Sequence, residues 1–457
     1  MLTRIEIDGF KTFEGFAMDL GPFQVVLGPN GVGKSNLFDA IRLLSRLAEH
    51  DLFTAVKELR GDPHELFRRR PDGQPGRQID LAAEVLIEPH VKDPYGVDVT
   101  LKHTRIRYEV SIAWRQDSRG IDRLQVVHEL ASPILAKQDC WLSGGARPSP
   151  AFRKTFLKYS RQSPWLSTER VGDDLRFEIH QDQRQGRPRP AGAAEATVLS
   201  SFTSSDFPHL FALREEMRSW RFLQLDPGAL RLPSPTTASA TLDPDGSNVA
   251  TVLAHIKAET QTALQPNGAL SDIGADLGSI IPGVLGVDVL EDERSRQYRA
   301  VISLRDEEPF SSNVVSDGTL RVLALLAMLH NPQHHGLVCF EEPENGVHPE
   351  RLKRLLARLQ ELVTDPAAED VESGERLSQM LLNSHSPVVL ACLADGKAVF
   401  ADLATVISPG GQHPDSRRTR VRPVRPSDQG SLSLPNGHDW VTRADVDRYL
   451  SFAQREP

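Results

Sequence analysis

What this sequence lacks removes several classes of protein at once. Its 457 residues hold three cysteines, Cys140, Cys339 and Cys392, none of them in C-x-x-C spacing. Neither a zinc site nor a disulfide framework is indicated, and a reducing cytoplasm is the expected home. No apolar run approaches the ~18 residues of a membrane span, so no membrane contact is expected. The N-terminus, MLTRIEIDGF, lacks the apolar core of a signal peptide. Heptads sustained over three repeats are missing too, which argues against a coiled-coil arm. There is no surplus of positive charge: the formal net charge is −9, which argues against a surface uniformly coated for nucleic acid. The charge is uneven, however. Residues 101 to 190 hold 17 Lys and Arg against 10 Asp and Glu, a local balance of +7. That excess reads either as a solvated, Arg-rich excursion or as a footprint for a phosphate backbone.

The stretch that organises the chain is GPNGVGKS, residues 28 to 35. It fits the phosphate-binding pattern G-x-x-x-x-G-K-[ST], with Gly28, Gly33, Lys34 and Ser35 in the defining places. Gly31 and Gly33 let backbone N–H groups turn inward around a polyphosphate, where a Cβ would crowd the anion. Lys34 supplies a charge for the β- and γ-phosphates, and the Ser35 hydroxyl can take one position on Mg²⁺. Asn30, Val32 and Asn36 complete the expected cradle. Context supports the match. Phe23 to Leu27 is a short, apolar, β-branched run that predicts a buried strand. Leu37, Ile41, Leu44 and Ala48 recur at helical spacing, so a helix is expected to start at the loop and aim its dipole at the phosphates. The chain is expected to bind a nucleotide. With no guanine-reading N-K-x-D motif, ATP is favoured over GTP.

Length alone suggests about three domains. Residues 3 to 8 alternate apolar and polar as a strand, GFKTF follows at 9 to 13, and a second strand lies near Phe16 to Leu20. Asp51 to Leu66 reads as a second helix, ended by a turn at Arg70 to Gly73. Residues 79 to 88 and 105 to 114 predict two strands of a meander. Residues 131 to 240 are rich in Pro, Ser, Gly and Arg and read as an insertion with mobile loops, holding a helix at Phe207 to Trp220 and a strand at Arg221 to Leu225. Beyond them come a helix after a Ser247 or Asn248 cap, and a hairpin of Asp288 to Glu291 with Tyr298 to Leu304. The expected organisation is an N-terminal lobe at 1–130, an insertion and linker at 131–240, and a second lobe at 241–457.

Three later stretches carry chemistry. Ser316-Asp-Gly-Thr precedes a strongly apolar helix, so Ser316 and Gly318 stand where free N–H groups can meet an anion, although a plain N-cap explains the serine equally well. GLVCFEEPENGVHP, residues 336 to 349, is a buried strand ending in two adjacent acids that point to opposite sides. Glu341 is assigned to the metal and Glu342 to the water that attacks the γ-phosphate, as general base. QMLLNSHSP, residues 379 to 387, is an apolar strand whose end carries His385, where an open α/β sheet places ligand contacts; a γ-phosphate sensor is expected. The tail predicts a strand at Lys397 to Leu403, the Arg-rich DSRRTRVRPVRP, and a final helix capped at Thr442 to Asp445.

The elements IEIDGFKTF, GPNGVGKSN, SDGTLR, CFEEPENGVHP and NSHSP, in this order over residues 1 to about 400, resemble the ABC-type ATPases related to RecF, SMC and the overcoming-lysogenization-defect family. The compact members without a coiled coil are the most similar. The resemblance implies an α/β P-loop NTPase fold: an ABC-type head with a mixed central sheet, flanking antiparallel N-terminal strands and an inserted basic segment. It implies Mg²⁺-dependent ATP hydrolysis and a homodimer that sandwiches ATP between Lys34 of one copy and Ser316 and Gly318 of the other. It makes His385 the switch histidine. Glu341 stands where aspartate is commoner, and no residue between 79 and 120 supplies the usual Mg²⁺-assisting glutamine. The 72 residues after His385 are too few for a Toprim nuclease module. Two functions are therefore expected: an ATPase that acts on or senses DNA in repair or phage defence, or a regulatory ATPase controlling a separately encoded effector such as a Toprim nuclease. A transporter engine is disfavoured, since such subunits are shorter and lack a basic insertion.

Overall fold

The strand that feeds the glycine-rich loop, Phe23–Leu27, is buried at every residue, as a strand covered on both faces must be. The computed structural model describes residues 1–453 except 70–73, 75, 117–118, 145–146, 173, 182–183, 372–373, 407–415 and 426–439. The turn expected at Arg70 to Gly73 lies outside the described residues. The loop strand sits in a seven-stranded mixed sheet, in the order Arg221–Leu223, Gly336–Glu341, Ser378–Ser384, Phe23–Leu27, Ala398–Val406, Ser416–Arg425, Val441–Thr442. The first five run parallel, and Ser416–Arg425 pairs antiparallel to its neighbour.

Period-two alternation in these strands divides the core. Val26, Leu337, Cys339 and Leu381 join one apolar cluster with the loop helix, Lys34–Leu47. Val25, Leu27, Val338, Phe340 and Leu382 join the other, with the helices Val249–Thr260, Asp317–Leu329 and Pro349–Glu361. Beyond the loop helix lies an eight-stranded antiparallel sheet that contains Leu2–Asp8, Phe16–Asp19, Gln78–Leu86, Arg105–Gln116 and Asp122–Pro133. Gln379 stitches the two sheets: its Nε2 donates to the Leu2 and Gly21 carbonyls, and its Oε1 accepts from Leu2 N. A smaller sheet pairs Val284–Asp292 with Gln297–Leu304, the expected hairpin.

Two local expectations need correction. The helix read over Asp51 to Leu66 is only Leu52–Lys57, followed by a single 3₁₀ turn, Pro63–Leu66. Gly61 at φ 96° and Pro63, which lacks an N–H, break it. The composition of residues 131–240 reads as mobile loops, yet Leu166–Val171, Asp174–Gln181 and Arg184–Pro190 are the three outer strands of the antiparallel sheet. The polar and proline residues of Arg184–Pro190 suit the edge position that strand takes, while Leu166, Phe177 and Ile179 of the two strands inside it are buried. The helix expected there is Pro208–Arg218, and Asn248 stands at the N-cap of the next, its side chain accepting from Asp243 N rather than from the helix. The tail strand and the cap of the last helix are present, Thr442 Oγ1 accepting from Asp445 N at 3.1 Å. Among the described residues no helix is long and apolar enough to cross a membrane.

Candidate functional site

Three neighbouring parallel strands end at the same edge of the central sheet, and each end carries polar residues. Leu27 leads into the loop, Glu341 closes the acid strand, and Ser384 closes the histidine strand between them. The pairing is direct: Gly28 N donates to Ser384 O at 3.2 Å and Glu342 N to Asn383 O at 3.0 Å. Open α/β sheets place ligands at this edge.

In the loop, Asn30 and Gly31 are exposed, with Gly31 at φ 80°. Gly33 caps the loop helix at φ 99°, and a Cβ there would meet the Thr419 and Thr12 hydroxyls at 2.3 and 2.7 Å. Lys34 is 8% exposed and donates to the Gly28 and Pro29 carbonyls at 2.6 and 2.7 Å. Burial pushes its ammonium down to about 8, against the pull of Glu342, Glu344 and Glu341. Ser35 Oγ donates to Glu341 Oε2 at 3.4 Å, so hydroxyl and carboxylate face each other. Asn36 turns away from the loop's mouth and donates to Thr12 Oγ1 at 3.1 Å.

Glu342 leaves the strand at φ 53°, unusual for a residue with a side chain. Asn345 Nδ2 donates to its Oε2 at 2.6 Å, and His385 Nδ1 lies 3.3 Å from its Oε1. Lys34, Ser35, Glu341, Glu342 and His385 are thus brought to one edge. Ser316 and Gly318 are not joined to the loop by any hydrogen bond or ion pair among the described residues. Ser316 caps its own helix, accepting from Thr319 N at 3.3 Å. Arg231 binds Asp317 and the Val315 carbonyl. A Cβ on Gly318 would stand 2.1 Å from the Gly346 carbonyl, so only glycine fits that approach. The Asp317–Leu329 helix therefore rests on the loop that follows the two acids, and Arg321 Nη1 donates to Asn345 O at 2.9 Å.

Sequence reading missed two participants. Arg60 Nη2 lies 2.9 Å from Ser35 O, 3.2 Å from Asp39 Oδ1 and 3.4 Å from Glu341 Oε1. Thr419, within the Arg-rich tail, donates to Val32 O at 2.7 Å and contacts Thr12 Oγ1 at 2.6 Å, bracing the loop from the far strand. Nothing near either residue in sequence marks it. Thr419→Val keeps the shape but removes that donor. It is expected to weaken nucleotide binding about fivefold, in line with a lost hydrogen bond of about 1 kcal/mol, and titration calorimetry would measure it.

The residues fit a nucleotide with a divalent cation. Among the described residues no group of three or more His, Cys, Asp or Glu could hold a metal. Mg²⁺ in such sites takes one or two protein oxygens and completes its shell with phosphate and water, which Ser35 and Glu341 can supply.

Comparison with known proteins adds a family. Residues 23–169 and 152–391 match the family described as "AAA domain, putative AbiEii toxin, Type IV TA system". A stretch of 62 residues is 45% identical to Structural maintenance of chromosomes protein 1 of Schizosaccharomyces pombe, covering 13% of this chain and 5% of that protein. Another of 86 residues is 31% identical to the DNA replication and repair protein RecF of Acidothermus cellulolyticus, covering 19% of this chain and 23% of that one. The chain thus spans less than a quarter of either curated relative. A solved SMC head bound to the C-terminal winged-helix domain of ScpA covers 92% of this chain and 97% of its own, at 12% identity and a TM-score of 0.49.

Proposed function

We propose, from the premise that this chain belongs to the AAA-domain family whose model it matches over most of its length, that it binds and hydrolyses ATP and does so as a dimer closed around the nucleotide. The observation that carries the reading is the meeting of the G-x-x-x-x-G-K-S loop, two consecutive acids and a histidine at one edge of the sheet. Lys34 and the loop's N–H groups hold the β- and γ-phosphates. Ser35 and Glu341 would hold Mg²⁺, which when bound would supply positive charge to the phosphate oxygens. Glu342 takes a proton from water as its oxygen bonds the γ-phosphorus and the bond to ADP breaks; His385 contacts the γ-phosphate. Ser316 and Gly318 of a second copy cover the nucleotide from the other side. Phosphate release by the purified protein with Mg²⁺ and ATP, abolished by Lys34→Ala, tests the reading.

The substrate of the closed dimer is read as DNA, in repair or phage defence. The likeness to a chromosome-maintenance protein and to a DNA replication and repair protein supports this, as does the charge of residues 101–190. That charge is not all available. Arg105 is fully buried on Asp139, and Arg107 is paired with Glu6 and Glu109. The edge strand Arg184–Pro190 is the better footprint. Reversing Arg184, Arg187 and Arg189 to Glu is expected to weaken DNA binding and flatten its salt dependence by up to ~3 units of slope. An unchanged slope would return the segment to solvated surface. The internal pairing of Arg105 and Arg107 favours a second reading, in which the dimer controls a separately encoded effector such as a Toprim nuclease. Co-purification beside an ATP-dependent DNA-binding assay separates the two.

A further inference from the structure

Among the described residues, two buried polar atoms at this edge have no hydrogen-bond partner: Nδ1 of His385, just past the histidine strand, and Oε2 of Glu344, in the loop after the acid strand. Buried polar atoms are almost always paired, so such an orphan asks for an explanation. The two belong to neighbouring groups of complementary chemistry. One is a nitrogen that can donate, the other an oxygen that can only accept. Nδ1 already lies 3.8 Å from Oε1 of the same carboxylate. Its approach to Glu342, though 3.3 Å, lacks hydrogen-bond geometry.

The two carboxylates that flank His385 differ in setting. Glu344 is 12% exposed and fixed by Ser384 Oγ, which donates to its Oε1 at 2.5 Å. Ser384 is itself fully buried in the strand. Glu342 is 37% exposed and held at one oxygen by Asn345. A buried, anchored carboxylate suits orientation, and a more open one suits exchange with water. Glu344 also lies in the loop on which the Asp317–Leu329 helix rests, next to Asn345, whose carbonyl binds Arg321, and to Gly346, which abuts Gly318.

We propose, resting on the ATPase reading above, that Glu344 is a positioning residue for His385. A small rotation of the ring gives Nδ1–H to the Glu344 carboxylate, which fixes the ring plane and leaves Nε2 for the phosphate. An imidazole oriented in this way by a carboxylate is a recurrent device. Because Glu344 rides on the loop beneath the Asp317–Leu329 helix, a shift of that helix is passed to the histidine.

The test is a double-mutant cycle on the full chain, reading kcat and KM for ATP in Glu344→Ala, His385→Ala, the double variant and Glu344→Gln. Glu344→Ala is expected to lower kcat on the order of 10- to 100-fold with little change in KM, since it misplaces a group without touching the loop. The double variant should be no slower than His385→Ala, because the two act as one unit. Glu344→Gln keeps the size and an oxygen to accept from Nδ1, with its amide NH2 turned to the Ser384 hydroxyl, so it should recover most of kcat and show that the alanine variant's loss is not misfolding. Losses that multiply in the double variant, or a raised KM at unchanged kcat, overturn the assignment while leaving the ATPase reading in place. Wild-type protein that does not hydrolyse ATP overturns both.

Discussion

Glu342→Gln is expected to lower ATP hydrolysis by ~10² or more while ATP stays bound. Glutamine matches glutamate in size and still accepts from Asn345 Nδ2 at Oε1, but it cannot take a proton from water. The backbone around it is already committed. Glu342 sits at φ 53° with its N–H given to Asn383 O, a conformation that costs of order 1–3 kcal/mol for a residue with a Cβ. Strain of that kind is kept where a side chain must point in one direction, here away from the strand that Glu341 continues. The loop from Gly28 to Ser35 is untouched, so binding persists, and the variant should accumulate as an ATP-bound dimer visible by light scattering. Glu341→Gln should behave otherwise. Its carboxylate faces the Ser35 hydroxyl at 3.4 Å, so its loss should reduce Mg²⁺-dependent affinity as well as turnover. If Glu342→Gln turns over normally while Glu341→Gln traps the dimer, the roles are exchanged.

Lys34→Ala is expected to remove measurable ATP binding in calorimetric titration. Lys34 is the cation inside the loop, with its ammonium on the Gly28 and Pro29 carbonyls. A second charge lies nearby: Arg60 is beside Ser35 O and Glu341. Arg60 is, however, occupied by Asp39 and Glu341, and Lys11 is occupied by the same Asp39 at 2.6 Å. Neither is free to replace a lysine that reaches the phosphates from within the loop. Burying an ammonium is unfavourable, and burial holds Lys34 near 8 against an ordinary value of 10.5. The alanine variant should therefore melt no lower than wild type, which separates lost binding from lost folding. Near-wild-type affinity would sink the assignment of the loop.

Sequence by itself determined the loop, the helix that begins at it, the acid strand and the histidine strand. Each is a run of adjacent residues whose apolar pattern and polar end are written locally, and buried parallel strands carry an especially plain pattern. The order of five short motifs also carried the resemblance to the ABC-type ATPases, and the AAA-domain family model matches the same chain. Only the tertiary structure decided which residues stand behind them. Thr419 reaches Val32 across 387 positions, and Arg60 reaches Glu341 across 281. Contacts at such separation leave no periodicity in the neighbourhood of either partner. The outer strands Leu166–Val171 to Arg184–Pro190 were hidden for a related reason. Polar outer strands have a composition close to that of a loop, and they become strands because a neighbour offers its free N–H and C=O groups; Arg184–Pro190 is the edge. The approach of Glu344 to His385 Nδ1 at 3.8 Å is of the same kind: the two lie 41 positions apart, in the loops that follow two paired parallel strands.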